Sequence, residues 1–159
     1  MGYYSSISKG YDELYGEEQL KKLSMIKNSI KVNKNAKMLD VGCGTGISSR
    51  FDCFVVGIDP SMGLLRQNNN NKKTIGIAEA LPFKDSSFNY VVSITSIHNF
   101  NNIKNSIDEM KRVGRKMFVF SVLKKSKKFN AIKSLIAKNF KIWKMVEGGK
   151  DAIFLCKCP

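Results

Sequence analysis

The sequence predicts an α/β protein with a doubly wound, mostly parallel sheet and an antiparallel hairpin at its C-terminal edge. Short apolar runs alternate with stretches of helical periodicity, which favours a parallel sheet with right-handed crossovers. A glycine-rich loop directly follows the first apolar run, an arrangement typical of a nucleotide-cofactor crevice. Near the C-terminus, two strand-like runs flank Glu147-Gly148-Gly149-Lys150-Asp151, which is a hairpin signal.

Each element follows from its apolar pattern. Helices are predicted where apolar residues recur every three or four positions, and strands where short apolar runs lie between turn residues. In the first helix, Leu20, Leu23, Ile26 and Ile30 form one stripe with lysines opposite. Gly114 is predicted to cap a helix C-terminus, and the asparagine run 68–71 to form an exposed loop with Lys72 and Lys73. In chain order, the predicted helices are 17–30, 47–51, 61–67, 103–113 and 129–140, and the predicted strands are 38–41, 54–59, 74–78, 88–95, 116–123, 141–146 and 152–158.

The length and composition favour a soluble protein with a single domain over residues 1–159. No apolar run reaches the ~20 residues of a membrane helix, and the N-terminus lacks the pattern of a signal peptide. The four cysteines form no CxxC pair, so reduced thiols, a cytoplasmic location and no metal site are expected. Residues 1–34 form an N-terminal arm and helix. Its tyrosines favour either a lid over the crevice or a surface arm: Tyr3, Tyr4, Tyr11 and Tyr15.

The net charge of +14 admits two interpretations. A strongly basic protein suits a polyanionic partner such as a nucleic acid. However, only four of the 27 basic residues are arginines, and a composition rich in Lys, Asn and Ile also indicates an AT-rich genome. The scarcity of arginine argues against bidentate recognition of bases and phosphates.

The main functional signal is the stretch from Met38 to Gly46. A buried strand reaches Asp40 near its end, and alternating glycines follow, as needed where the backbone turns through positive φ or approaches a ligand. A P-loop is excluded because its Gly-Lys-Ser/Thr ending is absent, and a dinucleotide fingerprint because Ile47 occupies the position of its last glycine. The Asp40 carboxylate would repel a pyrophosphate but suits a cationic amine, so S-adenosylmethionine fits better. A glycine turn without a ligand is the alternative.

A second carboxylate, Asp59, ends the next strand, seventeen positions after Gly42. In doubly wound folds, an acidic residue roughly 20 positions on accepts hydrogen bonds from ribose hydroxyls. Asp59-Pro60-Ser61 also resembles a helix start, and both roles can hold at once.

With these residues, the chain resembles the class I S-adenosylmethionine-dependent methyltransferases, in the group that includes ubiquinone-biosynthesis-type enzymes. The resemblance implies a Rossmann-like doubly wound sheet and S-adenosyl-L-methionine as cofactor. It covers roughly residues 35 to 100 and depends on four segments: Leu39-Asp40-Val41-Gly42-Cys43-Gly44-Thr45-Gly46, Gly57-Ile58-Asp59-Pro60-Ser61, Ala78-Glu79-Ala80-Leu81-Pro82-Phe83 and Asp85-Ser86-Ser87-Phe88-Asn89-Tyr90-Val91-Val92. Asn89 replaces the family's typical aspartate, which we expect to affect only loop packing.

The resemblance also implies cofactor contacts at matching positions. A solvated loop acid is the alternative for Glu79, and Thr95, the last residue of the fourth predicted strand, is a further candidate contact. The implied contacts are Asp40, Gly42, Cys43, Gly44 and Gly46 for the methionyl part, Asp59 for the ribose, Pro60, Ser61 and Met62 beside the adenine, and Ala78, Glu79 and Ala80 at its amino edge.

His98, the only histidine, follows the fourth strand and is the candidate general base. The alternative is that it packs under the next helix or caps it. The family's Asn/Asp-Pro-Pro-Tyr/Phe motif is absent, which disfavours methylation of exocyclic amines or glutamine.

Lysines follow the fifth strand, whose carboxyl end belongs to the ligand-binding edge of such a sheet. The cluster comprises Lys124, Lys125, Lys127 and Lys128, and Lys133, Lys138, Lys141 and Lys144 extend it. It suits phosphates, although a solvated lysine run is the alternative. We therefore expect a methyltransferase that acts on RNA or an anionic small molecule, with an open crevice that a partner protein can cover. The alternative is a non-catalytic module that acts as a partner subunit or RNA binder.

Overall fold

The protein forms one seven-stranded sheet with helices on both faces. The structure is a computed structural model that describes residues 8–159, with side chains from residue 16 onward. The helices are α1 (Ser8–Ser29), α2 (Met62–Leu65), α3 (Ile103–Val113) and α4 (Phe129–Asn139), with 3₁₀ turns at Ile47–Ser49 and Ile97–Asn99. The strands are β1 (Lys37–Val41), β2 (Phe54–Asp59), β3 (Lys73–Ile75), β4 (Phe88–Ile94), β5 (Gly114–Leu123), β6 (Lys141–Gly148) and β7 (Asp151–Lys157).

The strand order is β3-β2-β1-β4-β5-β7-β6. The first five strands run parallel, and β7 inserts antiparallel between β5 and β6. The order reverses direction between β1 and β4, so a crevice opens where these two strands end. The predicted Rossmann-like, mostly parallel sheet with an antiparallel C-terminal hairpin is therefore confirmed.

Two apolar cores lie on opposite faces of the sheet, because successive side chains of a strand point to opposite faces. In β1, Met38 joins the core beneath α1, whereas Leu39 and Val41 join the core beneath α3 and α4. Strands covered on both faces read as continuous apolar runs, which is why the sequence pattern located them well.

Helix α1 begins at Ser8, earlier than the predicted Glu17, and its buried face is not purely apolar. Lys22, predicted to face solvent, is only 2% exposed, whereas Leu20 is exposed. Asp151 explains this difference, because its buried carboxylate at the start of β7 forms an ion pair with the ammonium group of Lys22. The side chains of Tyr3, Tyr4, Tyr11 and Tyr15 lie outside the described residues. Along the described part of the chain, no helix has both the length and the apolar character to cross a membrane.

One loop prediction was wrong for a reason of packing. Asn68 is buried rather than exposed, because its amide packs against the glycine loop. Gly114 is the C-cap of α3, as predicted, and its amide donates to the Met110 carbonyl; its backbone is extended, with φ −97°, and it also begins β5. A Cβ at Gly114 would lie 2.4 Å from the Phe118 ring, so close packing requires the glycine.

Candidate functional site

A cavity of about 460 Å³ opens at the carboxyl ends of β1, β2 and β4. Eight of the residues implied as cofactor contacts line it: Gly42, Gly44, Asp59, Pro60, Ser61, Ala78, Glu79 and Thr95. Six candidates do not line it: Asp40, Cys43, Gly46, Met62, Ala80 and His98. The predicted set therefore divides into residues on the cavity wall and residues that lie behind or beside it.

The glycine loop is shaped by three positive φ angles, at Gly42 (79°), Gly44 (52°) and Gly46 (83°). These conformations strain any residue with a Cβ. At Gly42, a Cβ would also lie 2.5 Å from the Cβ of Ser96, whose hydroxyl donates to the Gly42 carbonyl at 3.0 Å. The loop is thus held against the end of β4, and its backbone faces the cavity.

Asp59 organises the rim between β1 and β2. Its Oδ2 accepts a hydrogen bond from the Gly44 amide at 2.9 Å, and its Oδ1 accepts one from the Ser61 amide at 2.8 Å. Burial raises the pKa of this carboxyl, and the two amides partly offset that rise. Helix α2 begins just after Ser61, whose hydroxyl caps it by accepting from the Leu64 amide. Asp59 therefore fixes the loop and the helix start, and each oxygen keeps a lone pair for a hydroxyl donor.

Asp40 lies beneath the loop rather than at its mouth. Its side chain is fully buried, and its Oδ2 accepts hydrogen bonds from Ser49 and, at 3.4 Å, from Ser48. Oδ1 has no hydrogen-bond partner among the described residues. Burial raises the pKa of Asp40 to about 6. The hydrogen bonds from Ser49 and Ser48 lower this pKa, and the negative charge of Asp59 raises it. Direct contact with a cofactor stays a prediction.

The pKa of Asp40 predicts a pH-dependent stability. Because the folded state holds this proton more tightly than the unfolded state, the free energy of unfolding should fall as pH rises from about 4 to above 6. The difference between 3.8 and about 6 corresponds to ~3 kcal/mol. Urea unfolding measures this effect in the wild type and in Asp40→Asn from about pH 4 to above pH 6. The difference between their free energies of unfolding should change by ~3 kcal/mol over that pH range. A difference constant with pH would contradict the buried, protonated carboxyl.

The other candidates outside the cavity wall have varied surroundings. Cys43 is buried behind the loop against Gly57, and burial raises the pKa of its thiol. Gly46 packs against Asn68. Met62 and Ala80 are exposed beside the cavity. All four cysteines are free thiols, and no three His, Cys, Asp or Glu side chains of the described chain could together hold a metal ion.

Sequence analysis missed several residues of the site. Asn68 donates from Nδ2 to the Gly44 carbonyl at 3.1 Å, so it supports the loop from behind. The contact of Asn102 with the predicted residue Glu79 was also missed: the Asn102 amide, where α3 begins, donates to the half-buried Glu79 carboxylate at 3.0 Å. Apolar side chains complete the wall. They include Val41, Ile58, Leu64, Ile75, Ile77 and Phe100. Several of these residues lie at strand ends, and that position could have identified them as part of the site. However, an apolar residue at a strand end equally indicates a place in the apolar core.

Thr95 connects the cavity to a buried ion pair. It has φ 55°, an unusual conformation for a β-branched residue. Its Oγ1 accepts from Lys22 Nζ at 2.8 Å and donates to Asp151 Oδ2 at 2.8 Å, while Ser121 Oγ donates to the same carboxylate oxygen at 2.6 Å. Lys22 Nζ lies 3.4 Å from Asp151 Oδ2. This buried network attaches α1 to the end of β4.

His98 lies in the 3₁₀ turn after β4, between the cavity wall residues Ser96 and Asn99 in the chain but not on the wall itself. Burial lowers the pKa of its imidazole, the charge of Asp151 opposes that change, and Lys22 and Lys128 reinforce it. The ring is therefore neutral at neutral pH. Its Nδ1 has no hydrogen-bond partner among the described residues, and the start of α3 is capped by Asn102 instead.

Comparison with known proteins agrees with this geometry. Residues 39–120 match the family model described as a methyltransferase domain. An uncharacterised protein of Methanocaldococcus jannaschii is 31% identical over 144 residues, covering 87% of this chain and 57% of its own length. The demethylmenaquinone methyltransferase of Renibacterium salmoninarum is 33% identical over 97 residues, covering 56% of this chain and 41% of its own length. The chain spans about half the length of the curated relatives that it matches.

Solved structures share the fold. A methyltransferase of Haloferax volcanii, solved in complex with the Trm112 methyltransferase activator, has a TM-score of 0.82 at 11% identity and covers 98% of this chain and 96% of its own. An S-adenosylmethionine-dependent methyltransferase of Aquifex aeolicus has a TM-score of 0.77 at 13% identity, with 98% of both chains covered. At these identities, the likeness shows the fold alone.

Proposed function

This chain belongs to the class I S-adenosylmethionine-dependent methyltransferases, and from that premise we propose that it transfers a methyl group to an anionic acceptor, RNA or a small molecule. The family and fold imply S-adenosyl-L-methionine as the cofactor. The single observation that carries the proposal is the Asp59 carboxylate beside the positive-φ glycine loop, on the wall of the cavity at the strand ends.

The residues present fit this cofactor. Asp59 has lone pairs left for ribose hydroxyls, and Ile75 and Ile77 offer apolar surface for an adenine ring near Ala78. A Cβ at Gly42 would clash with Ser96, so the glycine allows the loop to pack against the end of β4 beside the cavity. The unpartnered Oδ1 of Asp40 lies below the loop, where ionised Asp40 would favour the ammonium group electrostatically.

When bound, the cofactor supplies a methyl group on a sulfonium, so positioning contributes most of the rate. The chain's own residues hold and orient the reactants. We assign to His98 the removal of a proton from the acceptor, because its lowered pKa keeps the imidazole neutral and able to accept one. Thr95 and Ser96 precede this histidine in the chain and line the cavity, and the Ser96 hydroxyl donates to the Gly42 carbonyl of the glycine loop.

The proposal is tested by titration calorimetry with S-adenosylmethionine and with S-adenosylhomocysteine, its demethylated form. We expect both to bind. A chain that binds neither would refute the enzyme proposal. Labelled methyl transfer to RNA and metabolite extracts would then identify the acceptor.

His98→Gln should leave cofactor affinity unchanged and lower turnover by roughly 100-fold if His98 is the base. Equal turnover of the variant would remove that role.

A non-catalytic module is the second candidate. The fold likeness to the Haloferax volcanii methyltransferase, which was solved with an activator protein, supports association with a partner protein but does not favour a non-catalytic role. This candidate predicts that the chain binds the cofactor and transfers no labelled methyl group by itself. Transfer that appears when an activator protein is added, and that Asp59→Ala abolishes, would contradict the non-catalytic candidate.

A further inference from the structure

The charge of the chain is concentrated in its C-terminal part. Residues 114–159 hold twelve Lys and Arg against two carboxylates, a net charge of +10 out of the +14 of the whole chain. Asp151 is fully buried with Lys22, and Glu147, the only exposed carboxylate of this segment, pairs with Lys124. The remaining basic side chains of the segment make no ion pair within the described residues, so their field extends into solvent.

Part of this charge lies on the edge strand β6 and its neighbour β7. Lys141 and Lys157 stand directly opposite each other in the register, and like charges so placed repel. Both side chains are exposed, as is Lys144 on β6. Between them Trp143, the only tryptophan, is 38% exposed, and Lys157 Nζ lies 5.5 Å from its ring centroid. We call these four residues the edge patch. It combines a stacking surface with cations that no carboxylate compensates.

The edge patch lies on the face of the sheet that carries α1. In β7, the side chains of Ile153 and Leu155 belong to the core beneath α1. Lys157 is two residues after Leu155, so its side chain is on the same face of the sheet. In β6, Lys144 pairs with Leu155, and Val146 packs against the same core. The patch is thus one surface, and it is separate from the lysines of α4, which lies on the opposite face.

A second group of lysines lies at the carboxyl ends of the strands, beside the crevice, whereas the edge patch lies toward the opposite ends of the same strands. Lys125, Lys127, Lys128 and Lys150 are exposed where β5 ends and β7 begins. Lys128 directly precedes α4, and its positive charge contributes to the lowered pKa of His98. With strands ~4.8 Å apart and residues ~3.3 Å apart along a strand, Trp143 lies about 20 Å from the end of β4.

We propose that the edge patch and the strand-end lysines bind single-stranded RNA, which presents the methyl acceptor at the crevice. This inference rests on the proposed function. Spaced lysines compensate successive phosphates, and an exposed tryptophan stacks on an unpaired base. Single-stranded RNA supplies both, since its loops and ends splay bases out for stacking on aromatic side chains. A small phosphorylated metabolite would engage only the strand-end lysines, because it cannot also reach Trp143.

The test uses a fluorescein-labelled 20-nucleotide RNA of mixed sequence and the full chain with S-adenosylhomocysteine present. Anisotropy titrations at several KCl concentrations compare the wild type with Lys141→Ala/Lys144→Ala. The matched control is Lys133→Ala/Lys138→Ala, which removes two exposed lysines from α4 on the opposite face. We expect the edge variant to bind roughly tenfold more weakly and to lower the salt slope by ~1.4, while the control changes little. Unlabelled RNA should quench the fluorescence of Trp143.

Several outcomes would overturn the proposal: equal losses in both double variants, unchanged Trp143 fluorescence, or equal affinity for a dinucleotide. Binding of a DNA strand of the same sequence, or of heparin, as tightly as RNA would also overturn the RNA assignment. Cofactor titration keeps the two proposals apart. If S-adenosylmethionine binds and the edge variant behaves as the control does, only this inference fails. If S-adenosylmethionine does not bind, the proposed function fails whatever the RNA result.

Discussion

Lys22→Met should destabilise the protein by ~3–5 kcal/mol and lower its melting temperature by roughly 10 °C. The methionine removes the ammonium group that lies 3.4 Å from Asp151 Oδ2 and 2.8 Å from Thr95 Oγ1. It leaves a fully buried carboxylate with two hydroxyl donors and no cation, and an unpaired buried charge is far more costly than a lost surface pair. Thermal and urea unfolding, followed by circular dichroism, measure the effect.

Lys21→Met is the matched control. Its ammonium lies 3.6 Å from Glu17 Oε1 on the exposed side of α1, so its removal should cost ~0.5 kcal/mol or less. The double variant Lys22→Met/Asp151→Asn should recover most of the lost stability, because it leaves no buried charge and keeps an acceptor for Thr95. Equal melting temperatures for Lys22→Met and Lys21→Met would show that the buried pair does not hold α1.

Asp59→Ala should weaken the binding of S-adenosylmethionine by ~3 kcal/mol, roughly 100-fold. The variant removes the proposed acceptor for the ribose hydroxyls. It also frees the Gly44 and Ser61 amides, which donate to the carboxylate at 2.9 and 2.8 Å and fix the loop beside the cavity. Titration calorimetry measures the loss, and circular dichroism verifies that the sheet is intact.

Asp52→Ala is the control for this second prediction, because it removes the same charge from an exposed position near the start of β2. Its affinity should equal that of the wild type. Asp59→Asn should fall between the two, since its carbonyl oxygen still accepts one amide. If Asp59→Ala bound the cofactor as tightly as Asp52→Ala, the ribose would have to lie elsewhere.

The bounds predicted for strand 54–59 and helix 103–113 agree with the structure, whereas the predicted start of α1 does not. The strand Phe54–Asp59 was predicted with the bounds that the structure has, because a strand buried on both faces needs an apolar residue at nearly every position. Helix α1 was predicted to start nine residues late, since its periodic stripe does not extend over its whole length. A polar Lys22 on its buried face broke the pattern that sequence reasoning depends on.

The candidate site was predicted in part for a similar reason. Gly42 and Asp59 could be predicted from the sequence, because each belongs to a short motif with a characteristic spacing. Residues that act from another element are not. Ser96 contacts the glycine loop from the turn after β4, and Asn68 contacts it from the segment after α2. No local pattern marks either residue.

The sequence by itself determined the alternation of strands and helices, the glycine loop with its two acidic neighbours, and the family to which the chain belongs. These are local properties, set by apolar periodicity and by the backbone freedom of glycine. Only the tertiary structure decided that the Asp40 carboxylate points beneath the loop, that Lys22 of α1 pairs with Asp151 at the start of β7, and that Trp143 lies beside Lys157. Such contacts join residues distant in the chain, and their energies depend on burial and on partner distance, which arise only when the elements pack.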